Sequence, residues 1–149
     1  MLQINRIVLY VSFILALSAC GDKKLASGNS CFIDLVNQSS NQMAVVKNSE
    51  EMIIAGWVAD DLSKTTPTEV TINFVSTTGE VYEFSKGKVQ VPRPDVAAAL
   101  GLPSNSIAGF GLTGKVPKEM NRGIYNIQTV GYYPNKMVAC KTEKNIEIQ

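Results

Sequence analysis

The stretch Glu69-Val70-Thr71-Ile72-Asn73-Phe74 places an apolar side chain at every second position, and this alternation constrains the chain more than any other feature. A period of two sends Val70, Ile72 and Phe74 to one side of an extended segment, which predicts a half-buried strand. Cys31-Phe32-Ile33-Asp34-Leu35 repeats the pattern, with Cys31, Ile33 and Leu35 expected on the apolar face. Met52 to Val58 is more continuously apolar and contains Trp57. After Ser76-Thr77-Thr78-Gly79, whose glycine suits a connection with positive φ, an aromatic and β-branched run resumes at Val81. Residues 69–75 and 80–85 are therefore expected to form a hairpin.

Three further strand candidates, 123–130, 136–141 and 145–149, are separated by the Tyr133-Pro134-Asn135 turn and by Thr142 to Lys144. The one helical stretch is Pro94 to Leu100, with proline near its start, an alanine run, and Gly101 placed to end it. Short strands between turn signals, with almost no helix, predict an all-β antiparallel sandwich.

The chain begins differently. Arg6 precedes Ile7 to Ala19, an almost wholly apolar run that is shorter than the roughly 20 residues a membrane-spanning helix needs. Residues 1–19 thus have the layout of a secretory signal peptide; a retained anchor helix is the alternative. The run closes on Leu17-Ser18-Ala19-Cys20, which resembles the lipobox of bacterial lipoproteins at all four positions. The resemblance implies cleavage before Cys20 and acylation of its thiol and new amine, two or more chains making a stable membrane anchor. Gly21 rather than an aspartate follows the cysteine, which by the same resemblance implies the outer membrane and its periplasmic face. Residues 20–30 then read as lipidated N-terminus and unstructured linker, and residues 31–149 as a single β-sandwich domain.

With Cys20 lipidated, Cys31 and Cys140 remain as an even pair in an exported chain, where disulfides are permitted. Both sit on the predicted core faces of their strands, so a bridge is expected; two buried unpaired thiols are the alternative. A second resemblance rests on Gly56-Trp57 at a strand, Arg93-Pro94-Asp95-Val96, Gly109-Phe110, and Gly123-Ile124-Tyr125 in a late strand. Over about residues 54–133 these look like the Ig-like β-sandwich modules of bacterial envelope proteins, some of them beside membrane glycosyltransferases. The order Cys31, Trp57, Cys140 is similar to the immunoglobulin framework, although the cysteines lie farther apart than the inter-sheet pair of antibody domains.

Chemistry is sparse. The chain has no histidine, which removes Ser-His and Cys-His nucleophilic pairs and the commonest metal ligand. Basic and acidic residues number 14 and 13, for a net charge of +1, so no long-range field draws in nucleic acid. No cofactor or metal site is expected. Asp60 and Asp61 are the nearest thing to a carboxylate pair, but the composition around them reads as a solvated turn. Arg93 and Asp95 are expected to pair or to cap the short helix, Trp57 to plug the core, and Phe110 to pack where flanking glycines allow close approach. Tyr132 and Tyr133, at a hairpin tip, are the candidate contacts for a glycan or a protein partner.

The sequence thus predicts a non-catalytic, lipid-anchored envelope protein that binds or scaffolds another envelope component. A carbohydrate-recognition module for cell-wall or surface glycan is the alternative.

Overall fold

A computed structural model describes residues 23–149; the leader, its cleavage site and Cys20 lie outside the described residues. Ten strands follow in order: β1 Lys24–Gly28, β2 Cys31–Val36, β3 Met43–Val46, β4 Glu51–Val58, β5 Glu69–Ser76, β6 Val81–Lys88, β7 Val91–Pro92, β8 Ala108–Lys115, β9 Gly123–Tyr132 and β10 Lys136–Ile148. Helix α1, Pro94–Ala99, lies between β7 and β8, and Gly101 follows it at φ +70°.

The strands form two sheets. The larger runs β1-β10-β9-β5-β6, with β3 also pairing with β10, and the smaller runs β2-β4-β8-β7. In immunoglobulin lettering, the smaller sheet follows the order A-B-E-D, and β10-β9-β5-β6 follows G-F-C-C′. A second immunoglobulin hallmark is present at the start of β9. The Tyr125 hydroxyl donates to the carbonyl of Asn121, four residues upstream, at 2.9 Å, which is a tyrosine corner.

Alternation fills the space between the sheets. Ile33, Ile54, Ile72, Phe74, Ile127 and Ile146 are wholly buried in one cluster with Met52, Phe110 and Tyr125, each large apolar side chain contributing about 1.5–3 kcal/mol. Phe74 and Phe84 meet with ring centroids 5.1 Å apart. The β5–β6 hairpin forms as its sequence predicts, turning at Gly79 with φ +90°. Cys31 and Cys140 are bonded, with Cα atoms 6.3 Å apart and a sequence separation of 109. The bridge joins the first strand of the smaller sheet to the last strand of the larger one.

Three expectations are corrected. Residues 24–28 are not linker: β1 pairs in parallel with Lys136–Cys140, and the amides of Asn29 and Ser30 donate to the Asp61 carboxylate at 3.0 and 2.9 Å. Small polar residues carry no periodicity there because the segment is held by backbone pairing and a distant side chain. Leu35 does not join Ile33 in the core. A bulge between Ile33 and Leu35 shifts the alternation, so Val36 is buried and Leu35 faces out, as an extra residue in one strand requires. Finally, 136–141 and 145–149 are not separate strands but one, with an irregularity between Lys141 and Asn145. Strands β3, β7 and β8 are likewise not foretold by alternation in the sequence.

Replacing Tyr125 with phenylalanine leaves the Asn121 carbonyl without its donor, so Tyr125→Phe is expected to lower the unfolding free energy by about 1–2 kcal/mol. Urea unfolding followed by circular dichroism reads this as a lower midpoint with unchanged slope. A Cys31→Ser/Cys140→Ser chain loses the constraint on a loop of more than a hundred residues. It should lose about 4–5 kcal/mol on the chain-entropy account, measured against the oxidised protein in the same titration.

Candidate functional site

The outward face of the smaller sheet carries an unusual load of apolar side chains. Cross-strand pairing aligns Phe32 with Trp57 and Gly109, Leu35 with Ala55 and Gly111, and Ile53 with Thr113. Helix α1 roofs one end of this face: Val96 and Ala97 pack with Ala59 and Ile107, and Trp57, Leu100 and Leu102 lie against them. Trp57 is therefore not a plug of the central core. It is half-buried on the outer side, beneath the helix, because its odd-numbered position in β4 opposes the inward Met52, Ile54, Gly56 and Val58. The remainder of the face has no roof. Phe32, Leu35 and Ile53 are 44%, 38% and 49% exposed, and an added side-chain carbon at Gly111 would meet nothing within 4 Å.

Arg93 closes the covered end. Its Nη1 donates to Asp34 at 2.6 Å, while Nε and Nη2 grip Asp95 at 3.0 and 2.7 Å. The expected Arg93–Asp95 pair is present, and Asp34 is the partner sequence reasoning missed; it stands at the bulge in β2, which only the pairing with β4 reveals. The Asp95 and Asp34 carboxylates push the Arg93 guanidinium further toward its charged form, and Arg93 holds Asp95 down at about 2. A side-chain carbon at Gly109 would stand 3.1 Å from Arg93 Cγ and 2.5 Å from the Gly56 carbonyl oxygen, so the arginine stem crosses the sheet where only glycine leaves room. With both ends committed, this cluster is a strut tying β2 to the start of α1 rather than a ligand grip.

Phe110 is buried in the central core. The glycine that makes room for it is Gly56, its cross-strand partner, where an added carbon would lie 3.2 Å from Phe110 Cζ.

The tyrosine pair does not form the exposed tip that its turn position suggests. Tyr133 is 5% exposed, donates its hydroxyl to the Thr65 carbonyl at 3.2 Å, and burial pushes its phenol upward. Tyr132 is half-buried, with Lys86 Nζ 4.4 Å from its ring centroid and Thr71 Oγ1 donating to its hydroxyl at 3.3 Å. The loop that covers Tyr133 comes from residues far away in sequence, which local turn chemistry cannot reveal.

That loop also contains the adjacent carboxylates. Asp60 is buried, pairs with Lys136 Nζ at 2.6 Å and accepts from the backbone and hydroxyl of Ser63 at 2.9 and 2.6 Å. The Lys136 ammonium, followed by the Ser63 donors, lowers Asp60 to about 2. Asp61 is also lowered, chiefly by the Ser30 side chain and then by the amides of Asn29 and Ser30, which donate to its carboxylate. Each carboxylate is thus held ionised and occupied, the reverse of what a general acid needs.

No protein-family model and no curated protein matches the chain. Among solved structures, it is similar to a family 123 glycoside hydrolase from Clostridium perfringens, studied for glycolipid glycan hydrolysis. The identity is 16% and the TM-score 0.34, over 72% of this chain and 22% of that enzyme. The chain therefore spans about a fifth of the enzyme's length, and a likeness this weak transfers neither substrate nor activity.

Because Asp60 sits at about 2 in the fold and near 3.8 when free, the stability it supplies is complete above about pH 4 and lost as pH falls toward 2. An Asp60→Asn chain should show a shallower fall in urea midpoint across that window than the parent, and a parallel fall would remove Asp60 as its cause.

Proposed function

We propose that this chain is a non-catalytic, lipid-anchored component of the cell envelope that binds or scaffolds a protein partner through the outward face of its smaller sheet. The observation that carries this reading is the unroofed strip of Phe32, Leu35 and Ile53 beside the open backbone at Gly111. Apolar side chains clustered on one exposed sheet face mark interaction sites more often than isolated exposed ones do. A strip flanked by the rigid Arg93 strut and α1 is held in shape before a partner arrives, which lowers the ordering cost of association.

The commitment of Asp60, Asp61, Arg93 and Asp95 to internal partners supports a binding rather than a catalytic role. Anchoring rests on the Leu17–Cys20 resemblance, and the outer membrane and its periplasmic face on Gly21 after that cysteine. The Cys31–Cys140 bridge fits an oxidising compartment.

The test is crosslinking in native envelopes with the parent chain, Cys20→Ala, and Ile53→Asp. Ile53 is half exposed, so its replacement should leave the melting temperature nearly unchanged. A stoichiometric partner that falls about tenfold or more with Ile53→Asp supports the face. Equal capture by that variant overturns it, and unchanged membrane fractionation of Cys20→Ala overturns the anchor separately.

A further inference from the structure

The β9–β10 ladder of the larger sheet breaks between Lys141 and Asn145, and beside the break lies a second surface feature, on the side opposite the apolar strip. Gln128 pairs with Lys141 and Asn126 with Asn145, so Thr142, Glu143 and Lys144 of β10 stand against Ile127 alone. The inward side of this irregularity is fully satisfied. Thr142 Oγ1 donates to the Ile127 carbonyl at 2.6 Å, and the buried Lys144 ammonium donates to the carbonyls of Ser40 and Asn41.

The outward side is different. The carbonyls of Thr142 and Lys144, freed from regular pairing, accept from Asn126 Nδ2 at 2.8 and 3.1 Å, and Asn145 Oδ1 accepts from the same group at 3.2 Å. These bonds fix both carboxamides in place. They use the Asn126 donor and the Asn145 acceptor, leaving Asn126 Oδ1 and Asn145 Nδ2 without partners among the described residues. The Gln128 amide makes no side-chain hydrogen bond and Lys141 no ion pair among those residues. The four line a depression of about 290 Å³ together with Val75, Ser76, Thr77 and Ile124. No acidic side chain lines it.

This is a specific combination: fixed donors and acceptors side by side, one cation, and two apolar side chains. Sugar hydroxyls both donate and accept, as the neighbouring carboxamides require. A carboxylate is the group a single lysine answers best, since a phosphate site would gather more cations or an arginine fork. Val75 and Ile124 offer apolar contact to the C–H face of a ring. We propose that the depression on the outward face of the larger sheet binds a sugar acid, a pyranose carrying one carboxylate, with the carboxylate at Lys141 and the hydroxyls on Asn126, Gln128 and Asn145. This site is independent of the partner face on the other sheet, and either can fail without the other.

The full chain in mild detergent, titrated with D-glucuronate while its side-chain amide signals are followed by NMR, tests the proposal. Shifts of the Asn126, Gln128 and Asn145 amides are expected with a dissociation constant on the order of millimolar, as suits a single ring. D-glucose should bind about tenfold more weakly, and Lys141→Gln should bring glucuronate to the glucose level. Lys141 is exposed, so the variant is expected to keep the parent melting temperature. Absence of shifts with glucuronate, unchanged affinity in Lys141→Gln, or acetate binding as tightly as glucuronate at the same amides would each overturn the sugar-acid assignment.

Discussion

The Cys31–Cys140 bond is the joint on which the architecture depends. Among the described residues the two sheets share no backbone ladder, so side-chain burial, the Ser85 hydroxyl donating to the Thr113 carbonyl at 3.0 Å and this disulfide hold them face to face. The link ties an edge strand of the smaller sheet to β10, which pairs with β9 on one side and with both β1 and β3 on the other. Fixing β2 against β10 fixes the separation at which Ile33, Ile54, Ile127 and Ile146 can interlock. In antibody domains the corresponding bond sits at the centre of the sandwich, between strands B and F. Here it lies between A-like and G-like strands, and the tyrosine corner at Tyr125 remains in its usual place.

β10 also organises what the surface offers. Alternation runs unbroken through its irregularity and keeps Thr142 and Lys144 inward, where Lys144 pins the loop at Ser40 and Asn41, while Asn145 stands outward beside Asn126. One stretch of irregular pairing therefore braces the loop before β3 and borders the polar depression. On the other sheet a second departure, the bulge at Asp34, exposes Leu35 and gives Arg93 its carboxylate. Each candidate surface arises beside an interrupted ladder, and at Leu35 the bulge also re-aims a side chain.

The central core was legible because it obeys a local rule. Val70, Ile72 and Phe74 declare themselves by alternation, Pro94 and Gly101 bracket the helix, and the cysteine faces anticipate the bridge. What escaped depends on contacts distant in sequence. Whether Leu35 or Val36 faces inward is decided by the register against β4, the outward Trp57 is covered by a helix that comes later in the chain, and Tyr133 is covered by the Thr65 loop. The polar depression was invisible for the same reason. Asn126, Gln128, Lys141 and Asn145 form no motif until two strands lie side by side. Tyr125 is the one feature the sequence could have yielded sooner, since a tyrosine just after Gly123 at the start of a late strand is where a corner belongs.

The position of Cys31 has a mechanical consequence. A pull applied to the N-terminal end of the folded domain would first load β1, whose pairing with β10 is made of hydrogen bonds alone. Those can be sheared away, but peeling stops at Ser30. At Cys31 the load passes through a covalent bond into β10, the strand with neighbours on both sides. The sandwich is thus built to keep its core shut under tension from that end, with β1 as the sacrificial segment that yields first and can re-form when the force is released.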